Sequence, residues 1–213
     1  FQTPVQTMFQ SNTQDLLGVR VDTGVQDGGE IPMFYDSMIA KLIVHGTDRN
    51  DAIAKMREAL NGFVIRGISS NIPFQAALLA HPKFVAGDFN TGFIAENYAH
   101  GFRAEDVPHD DPDFLVALAA FVRRKSRERA ANLSGQLPGY DVQIGHDYSV
   151  IVLGAKGENR YLGVHVDEFR GQSGKAIIKV GDNHYIIESH SRLNDVRING
   201  TFNGKPFTAQ VER

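Results

Sequence analysis

The sequence contains no cysteine among its 213 residues. Disulfide bonds and thiolate metal sites are therefore excluded, and a reducing compartment is compatible with the composition. No apolar run approaches the length of a membrane span, and we expect no contact with a membrane. The first residues are polar and begin with phenylalanine, so we expect no signal peptide and interpret the sequence as an interior piece of a longer chain.

The net charge is also small, at −3, and it gives no long-range attraction to nucleic acid or to an acidic membrane. The content of 42% hydrophobic and 22% charged residues is that of an ordinary globular protein with one or two domains. A basic cluster at 123–129 leaves a nucleic-acid-binding module open as an alternative. The overall acidity and the lack of interleaved aromatic residues argue against it.

An acidic stretch with two prolines, 104–113, predicts a domain boundary, so we expect domains at 1–103 and 104–213. In the first domain, strands and short helices alternate, which predicts an α+β lobe. The alternation over 38–44 predicts a strand covered on both faces, in which Lys41 needs a partner such as Asp36. The expected strands are 17–25, 38–44 and 63–68, and the expected helices are 51–60, one that begins after Asn71 and ends at Pro82, and 93–100.

In the second domain, a helix is predicted over 113–132, and its first half, FLVALAAFV, is apolar all the way round. Such a helix must be wrapped on most sides. Seven strand runs follow, with hairpin signals at Gly181-Asp182-Asn183 and Asn203-Gly204. We therefore expect an antiparallel β-barrel over 140–213 around a long central helix. The predicted strands are 140–144, 148–153, 161–166, 176–180, 184–189, 195–198 and 208–211.

Five motifs follow one another in the first domain: GVRVD at 18–22, EIPMFYDSMIAKLIVHG at 30–46, AIAKMREAL at 52–60, VIRGISSN at 64–71 and GDFNTGFI at 87–94. In this order they resemble the C-terminal part of a biotin carboxylase domain, most closely that of acyl-CoA carboxylase α subunits. The order of helix and barrel in the second domain resembles the subunit-interaction (BT-type) domain of propionyl-CoA carboxylase α subunits. Methylcrotonyl- and geranyl-CoA carboxylases have similar domains and remain alternatives, as does a non-enzymatic adaptor.

The resemblance implies a ligase that carboxylates biotin with ATP and bicarbonate and passes the carboxyl group to propionyl-CoA on a carboxyltransferase β subunit. Biotin, ATP and Mg²⁺ are then the cofactors of the full α subunit, in a bacterial cytoplasm or a mitochondrial matrix. The ATP-grasp lobes and the biotinyl Ala-Met-Lys-Met hairpin do not occur in this sequence. We therefore expect no bound cofactor here, and we expect the rest of the α subunit and the β subunit as partners.

Four residues are carried over from the carboxylase family to the first domain. Asp36 in YDSM matches a position beside the pocket for biotin and a catalytic arginine; without the resemblance, Asp36 is a turn cap. Thr91 and Gly92 match the edge of the adenine pocket, and the alternative is a turn with Thr91 as helix N-cap. Arg20 matches a position near the carboxylase dimer contact.

The segment NLSGQLPGY, 132–140, follows the predicted long helix. Its glycines and proline predict an exposed loop that carries Leu133, Leu137 and Tyr140. In the family a hook after this helix grips the β subunit, so the resemblance implies a β-subunit contact here.

The eight histidines are scattered without i,i+4 pairing to a carboxylate on a helix, so no metal site is expected.

We predict that the 213-residue chain alone does not hydrolyse ATP, because the lobes that hold nucleotide in the family do not occur in it. Phosphate release with bicarbonate and free biotin should equal that of a blank without protein. ATP hydrolysis above that blank by the purified chain would refute the interpretation.

Overall fold

The computed structural model describes residues 18–23, 38–65, 67–103, 106–107, 111–135, 139, 142–154 and 158–211. Within it the chain divides into two compact units, Phe1–Pro108 and His109–Arg213. The division falls inside the acidic, proline-containing stretch 104–113. Among the described residues no helix is both long and apolar enough to cross a membrane.

The described part of the first unit contains two antiparallel strands and four helices. They are β1 (Val19–Thr23), β2 (Ala40–Val44), α1 (Arg49–Gly62), α2 (Ile72–Ala80), α3 (Pro82–Ala86) and α4 (Phe93–Asn97). The register of the two strands places Asp22 directly opposite Lys41. Lys41 is exposed, so the prediction of a strand covered on both faces is wrong, and the Lys41 ammonium remains hydrated. Asp36 lies outside the described residues.

Helix starts in this unit follow local capping chemistry. Asp48 is the N-cap of α1 and accepts from the Asp51 N–H at 2.9 Å, while Asp51 accepts from the Thr47 N–H at 2.7 Å. His81 ends α2, and its Nδ1 accepts from the Lys83 N–H at 3.3 Å, so the same residue also caps α3. Helix α3 is therefore an element that the sequence analysis missed at Pro82, where it predicted only a helix end.

The strand predicted over 63–68 is wrong for the described part of that segment, which pairs with no other strand. Phe63 is extended, but it serves as the C-cap of α1, and its N–H donates to the Leu60 carbonyl at 3.1 Å. Helices α2 to α4 and the residues that follow them carry a cluster of aromatic rings. That cluster comprises Phe74, His81, Phe84, Phe89, Phe93, Tyr98 and Phe102.

The second unit is one helix followed by an antiparallel meander in which each strand pairs with the next. The elements are α5 (Pro112–Ala131), β3 (Asp147–Val152), β4 (Arg160–Arg170), β5 (Lys175–Val180), β6 (Asn183–Glu188), β7 (Arg197–Phe202) and β8 (Lys205–Gln210). The six strands form a curled half-barrel with β3 and β8 at its edges. The predicted strand at 140–144 is wrong, since its described residues 142–144 form no strand.

Sheet and helix share one hydrophobic core. The fully or almost fully buried members from the sheet are Val164, Val166, Ala176, Ile178, Val180, Tyr185, Ile187 and Ile198. From the helix they are Val116, Ala117, Leu118, Ala120, Phe121 and Val122. Leu115 and Ala119, one turn apart, remain exposed, so one narrow stripe of the apolar half is not covered by the described residues.

The hairpin turn between β7 and β8 shows how the sequence sets the register of the sheet. Asn203 and Gly204 have φ of 47° and 79°, the left-handed values that a two-residue turn between twisted strands requires. Phe202 consequently lies opposite Lys205, as the hairpin signal predicts. Gly200 in β7 has a packing role, because a Cβ there would lie 2.1 Å from the Glu188 carbonyl oxygen.

The core predicts a contrast between two adjacent isoleucines of β6. Ile187 is 0% exposed and Ile186 is 40% exposed. Ile187→Ala should lower the free energy of unfolding by about 2–5 kcal/mol, because it leaves a cavity against α5. Ile186→Ala, the matched control, should cost less than about 1 kcal/mol. Urea denaturation measures both, and equal losses would contradict this core.

Candidate functional site

The turn Asn90–Gly92 carries the two residues that the family resemblance assigns to the adenine edge. The Gly92 N–H donates to Asn90 Oδ1 at 2.6 Å, and α4 begins directly afterwards with Gly92 as its N-cap. The alternative of Thr91 as the N-cap is therefore wrong. A Cβ on Gly92 would lie 3.0 Å from both Asn90 Oδ1 and Glu96 Oε1, so only glycine fits without displacing these groups. Thr91 itself is exposed.

Arg49 supports this turn from the start of α1. Its guanidinium lies over two rings, with Cζ 5.0 Å from the centroid of Phe84 and 5.5 Å from that of Phe89. Its Nε donates to the Val85 carbonyl at 3.3 Å, and its Nη2 donates to the Phe84 carbonyl. Phe89 directly precedes Asn90, so Arg49 holds the approach to the turn. No sequence motif indicated this role for Arg49.

Of the other predicted site residues, the structure describes only some. Arg20 is exposed and pairs with Asp22, with Nε and Oδ1 3.0 Å apart. Asp36, Leu137 and Tyr140 lie outside the described residues. The structure therefore brings Thr91 and Gly92 together in one turn, and it leaves Arg20 on the surface of the strand pair.

In the second unit, the C-terminal half of α5 carries the basic cluster at 123–129. Two of its cations point towards the sheet. Arg124 Nη1 donates to the Gly145 carbonyl at 3.2 Å, and its Cζ lies 5.4 Å from the centroid of Phe169. Lys125 Nζ donates to the Ser191 carbonyl at 2.7 Å and to the Ser189 carbonyl at 3.3 Å. Burial lowers the pKa of Lys125, and Asp195 opposes that shift.

The two Lys125 hydrogen bonds fasten the helix to the loop between β6 and β7. Ser189 in that loop is 1% exposed, and its Oγ donates to the Asn199 carbonyl at 2.6 Å. The buried hydroxyl is thus satisfied and links the loop to β7. The sequence analysis treated the basic cluster as one surface, and it gave no signal that Lys125 turns inward.

The segment after α5 begins with an exposed apolar residue. Asn132 is the C-cap of the helix, and its side chain donates to the Glu128 carbonyl at 2.8 Å. Leu133, the next residue, is 59% exposed, although it is a large apolar side chain. Gly135 has a φ of 87°, a left-handed conformation that turns the chain away from the helix direction. Leu133 therefore presents an apolar surface immediately beyond a fastened helix end.

The other end of α5 is held by a buried tyrosine. The Tyr185 hydroxyl of β6 donates to Asp111 Oδ1 at 2.8 Å, and the same oxygen of this N-cap residue accepts from the Phe114 N–H at 3.3 Å. Tyr185 is 2% exposed. Burial, and next the Asp111 carboxylate, raise the pKa of Tyr185 to about 12.

The described residues hold no group of three or more histidine, aspartate or glutamate side chains placed to bind a metal ion.

Comparison with known protein families assigns both units. Residues 6–96 match the family described as Biotin carboxylase C-terminal domain. Residues 115–213 match the family described as Propionyl-coenzyme A carboxylase BT domain. Each match falls within one of the two units that the structure separates.

Individual relatives are similar to this chain over part or most of its length. The propionyl-CoA carboxylase alpha chain of Ruegeria pomeroyi is 43% identical over 137 residues, which cover 64% of this chain and 20% of that protein. The mitochondrial propionyl-CoA carboxylase alpha chain of Caenorhabditis briggsae is 31% identical over an alignment that covers 91% of this chain and 30% of that protein. Biotin carboxylase 1 of Bacillus subtilis is 55% identical over 78 residues, 37% of this chain and 17% of that protein.

A biotin carboxylase C-terminal domain followed by a BT domain indicates an α subunit of the biotin-dependent carboxylases. Within that class, the chain is similar to proteins named propionyl-CoA carboxylase alpha chain. The chain spans only 17–30% of the length of the three relatives named above.

The tyrosine at the start of α5 predicts an alkaline loss of stability. The pKa of Tyr185 is about 12 in the folded state, above the value of about 10 for an unfolded tyrosine. Its contribution is therefore complete below about pH 10 and is lost as the pH rises towards about 12. In urea denaturation, the advantage of the native protein over Tyr185→Phe should shrink by roughly 2–3 kcal/mol between these limits.

Tyr161→Phe is the matched control for this titration, because Tyr161 is 69% exposed. Its difference from the native protein should stay flat across the same pH range. A flat difference for Tyr185→Phe as well would contradict the assigned hydrogen bond to Asp111.

Proposed function

We propose that this chain is part of the α subunit of a biotin-dependent acyl-CoA carboxylase whose substrate is propionyl-CoA. The observation that supports the proposal is the order of the two domain matches along one chain, each within its own compact unit. A carboxylase-type domain joined to a BT domain combines the biotin-carboxylating half of the reaction with an attachment to the half that accepts the carboxyl group. The similar proteins of Ruegeria and Caenorhabditis are propionyl-CoA carboxylase alpha chains by name.

In this proposal the first unit completes the biotin carboxylase domain of the full subunit, over about 1–103. Asp36 holds a catalytic arginine of that domain ready for the biotin anion by a charge-assisted pair. Thr91 and Gly92 border the adenine of ATP, and Arg20 contributes to the carboxylase dimer contact. The exposure of Thr91 in this turn supports the second assignment, since the Thr91 side chain is accessible to a ligand.

ATP, Mg²⁺ and biotin belong to the whole subunit in this proposal, and they supply the phosphoryl group, its charge neutralisation and the carboxyl carrier. The part played by this chain is to position the turn against which the base of ATP lies. The stacked guanidinium of Arg49 fixes the segment that leads into the Asn90–Gly92 turn. A fixed turn limits the ways in which a base can lie against it.

The second unit, over about 104–213, docks the carboxyltransferase β subunit through Leu133, Leu137 and Tyr140. Support comes from the exposed Leu133 immediately after a helix end that Arg124 and Lys125 fasten to the sheet. A preordered apolar contact loses little conformational entropy on binding. The packing of the buried half of α5 against the sheet provides the base for this contact.

The acyl group follows from likeness to the propionyl-CoA carboxylase chains. Methylcrotonyl-CoA, geranyl-CoA and a non-enzymatic adaptor role are the alternatives, and turnover of the reconstituted α and β subunits with each acyl-CoA decides among them. Preference for propionyl-CoA supports the proposal. Preference for a branched acyl-CoA, or no carboxylation with any of them, contradicts it.

The docking assignment predicts the effect of removing the loop. Deletion of 133–139 in the full-length α subunit should abolish co-purification with the β subunit and the carboxylation of propionyl-CoA. Carboxylation of free biotin should persist, because the carboxylase domain is untouched. Leu133→Ser should weaken the complex, whereas Leu153→Ser, at a residue that is 77% exposed, serves as the control with no effect. Persistence of the complex after the deletion would refute this docking site.

A further inference from the structure

Arg49 stands at the end of its own helix that disfavours a cation. It is the first residue of α1, directly after the N-cap Asp48. The N-terminus of a helix carries partial positive charge, so a guanidinium gains nothing from α1 at this position. Within the described ranges no carboxylate forms an ion pair with Arg49, and its contacts are two carbonyls and two aromatic rings. The reason for an arginine here therefore lies in the segment that it contacts.

The two carbonyls that accept from Arg49 belong to the end of α3. Phe84 and Val85 lie in the last turn of that helix, where carbonyl oxygens have no partner further along the helix. Gly87 ends α3 in a left-handed conformation with a φ of 77°, and its N–H donates to the same Phe84 carbonyl at 3.1 Å. Arg49 thus acts as a second C-cap of α3, at the helix end that favours a cation.

Two aromatic rings bracket the Asn90–Gly92 turn, and they are held in different ways. Phe93, after the turn, is 5% exposed, and its ring meets a neighbouring histidine ring edge-on with 4.9 Å between centroids. Phe89, before the turn, is 45% exposed and stacks on Phe84 with centroids 4.9 Å apart. The core therefore fixes Phe93, whereas Phe89 lies at the surface. Because the Arg49 guanidinium lies over both stacked rings, this cation holds the exposed side of the turn.

We propose that Arg49 is a positioning residue that sets the affinity for ATP, and not the rate of the chemical step, by holding Phe84 and Phe89. This inference rests on the proposed function, in which Thr91 and Gly92 border the adenine. A turn that is held before the ligand arrives loses little conformational freedom on binding, so loss of this support weakens binding. The reacting phosphate and carboxyl groups do not pass through the turn, so the chemical step is unaffected.

The contacts of Arg49 require a guanidinium. Its Nε donates to the Val85 carbonyl at 3.3 Å and its Nη2 to the Phe84 carbonyl, so one planar group serves two acceptors while it lies over the rings. A lysine keeps the charge, but its ammonium is a compact point charge without this rigid fork. Arg49→Lys should therefore rescue the function only in part.

The test uses the full-length α subunit, with free biotin as the carboxyl acceptor. Arg49→Met removes the charge and the donors and keeps most of the length of the side chain. It should raise the KM for ATP about tenfold and leave kcat within about twofold of native, because hydrogen bonds of a charged group are lost from the support of the turn. The KM values for bicarbonate and biotin should stay native. Arg49→Lys should raise the KM for ATP by about threefold.

A binding measurement checks the same claim without turnover. In calorimetric titration with ADP, Arg49→Met should raise the Kd about tenfold, as it raises the KM for ATP. Phe89→Leu should also raise the Kd. The double variant should bind no more weakly than the weaker of the two single variants, because Arg49 acts through the ring of Phe89.

Two controls separate positioning from a loss of stability. Arg57→Met changes an exposed arginine of the same helix and should leave both the KM for ATP and the thermal midpoint native. Leu79→Val, at a residue of α2 that is 8% exposed, should lower the thermal midpoint. It should nevertheless leave the KM for ATP within about twofold of native.

Three results would overturn the inference. They are an unchanged KM for ATP in Arg49→Met, an equal rise of that KM in Leu79→Val, and full rescue by Arg49→Lys. If Arg49→Met does not fold, Arg49→Lys and Phe89→Leu decide by the same KM measurement. All three results leave the proposed function standing. A native subunit that neither binds ADP nor carboxylates biotin with ATP would overturn the proposed function together with the inference.

Discussion

Burial of the first half of α5 against the sheet is the constraint on which the second unit depends. Ala117, Ile178 and Ile187 are each 0% exposed, so there is no room between helix and strands at these points. Close packing of this kind fixes the helix axis, because a shift by one residue would place charged side chains in the core. The C-terminal half of the helix, with its cations, must then extend past the packed region.

Hydrogen bonds at both halves of α5 add to the packing that holds this helix against the sheet. Tyr185 and Asp111 join the first turn of α5 to β6, and Lys125 joins the second half to the loop that contains Ser189. Each contact satisfies a buried or half-buried polar group, so the helix is held in register as well as in place. Side chains of the same chemical type consequently differ in role, since the angular position on the helix decides which cations meet carbonyls and which meet solvent.

Local sequence signals predicted helices and turns well. They predicted less well which segments pair as strands and which side chains meet across the fold. The long helix, predicted over 113–132 and observed over Pro112–Ala131, and the Asn203-Gly204 turn follow from backbone chemistry within a few residues, and both were predicted. The strands predicted at 63–68 and 140–144 failed, because an apolar run becomes a strand only if a partner edge is available. For the site, motif order indicated the carboxylase family and the turn at Thr91 and Gly92. The support by Arg49 and the inward turn of Lys125 depend on contacts distant in sequence, which no local pattern encodes.

The most direct test asks whether the buried first half of α5 holds its second half and the following loop in place for docking. It measures hydrogen exchange along α5 in the full-length α subunit, with and without the β subunit. Amides of residues 116–122 should exchange slowest in the second unit in both states, and residues 123–135 should gain protection only when β is bound. Rapid exchange over 116–122, or protection by β that appears elsewhere and leaves 123–135 unchanged, would contradict the account.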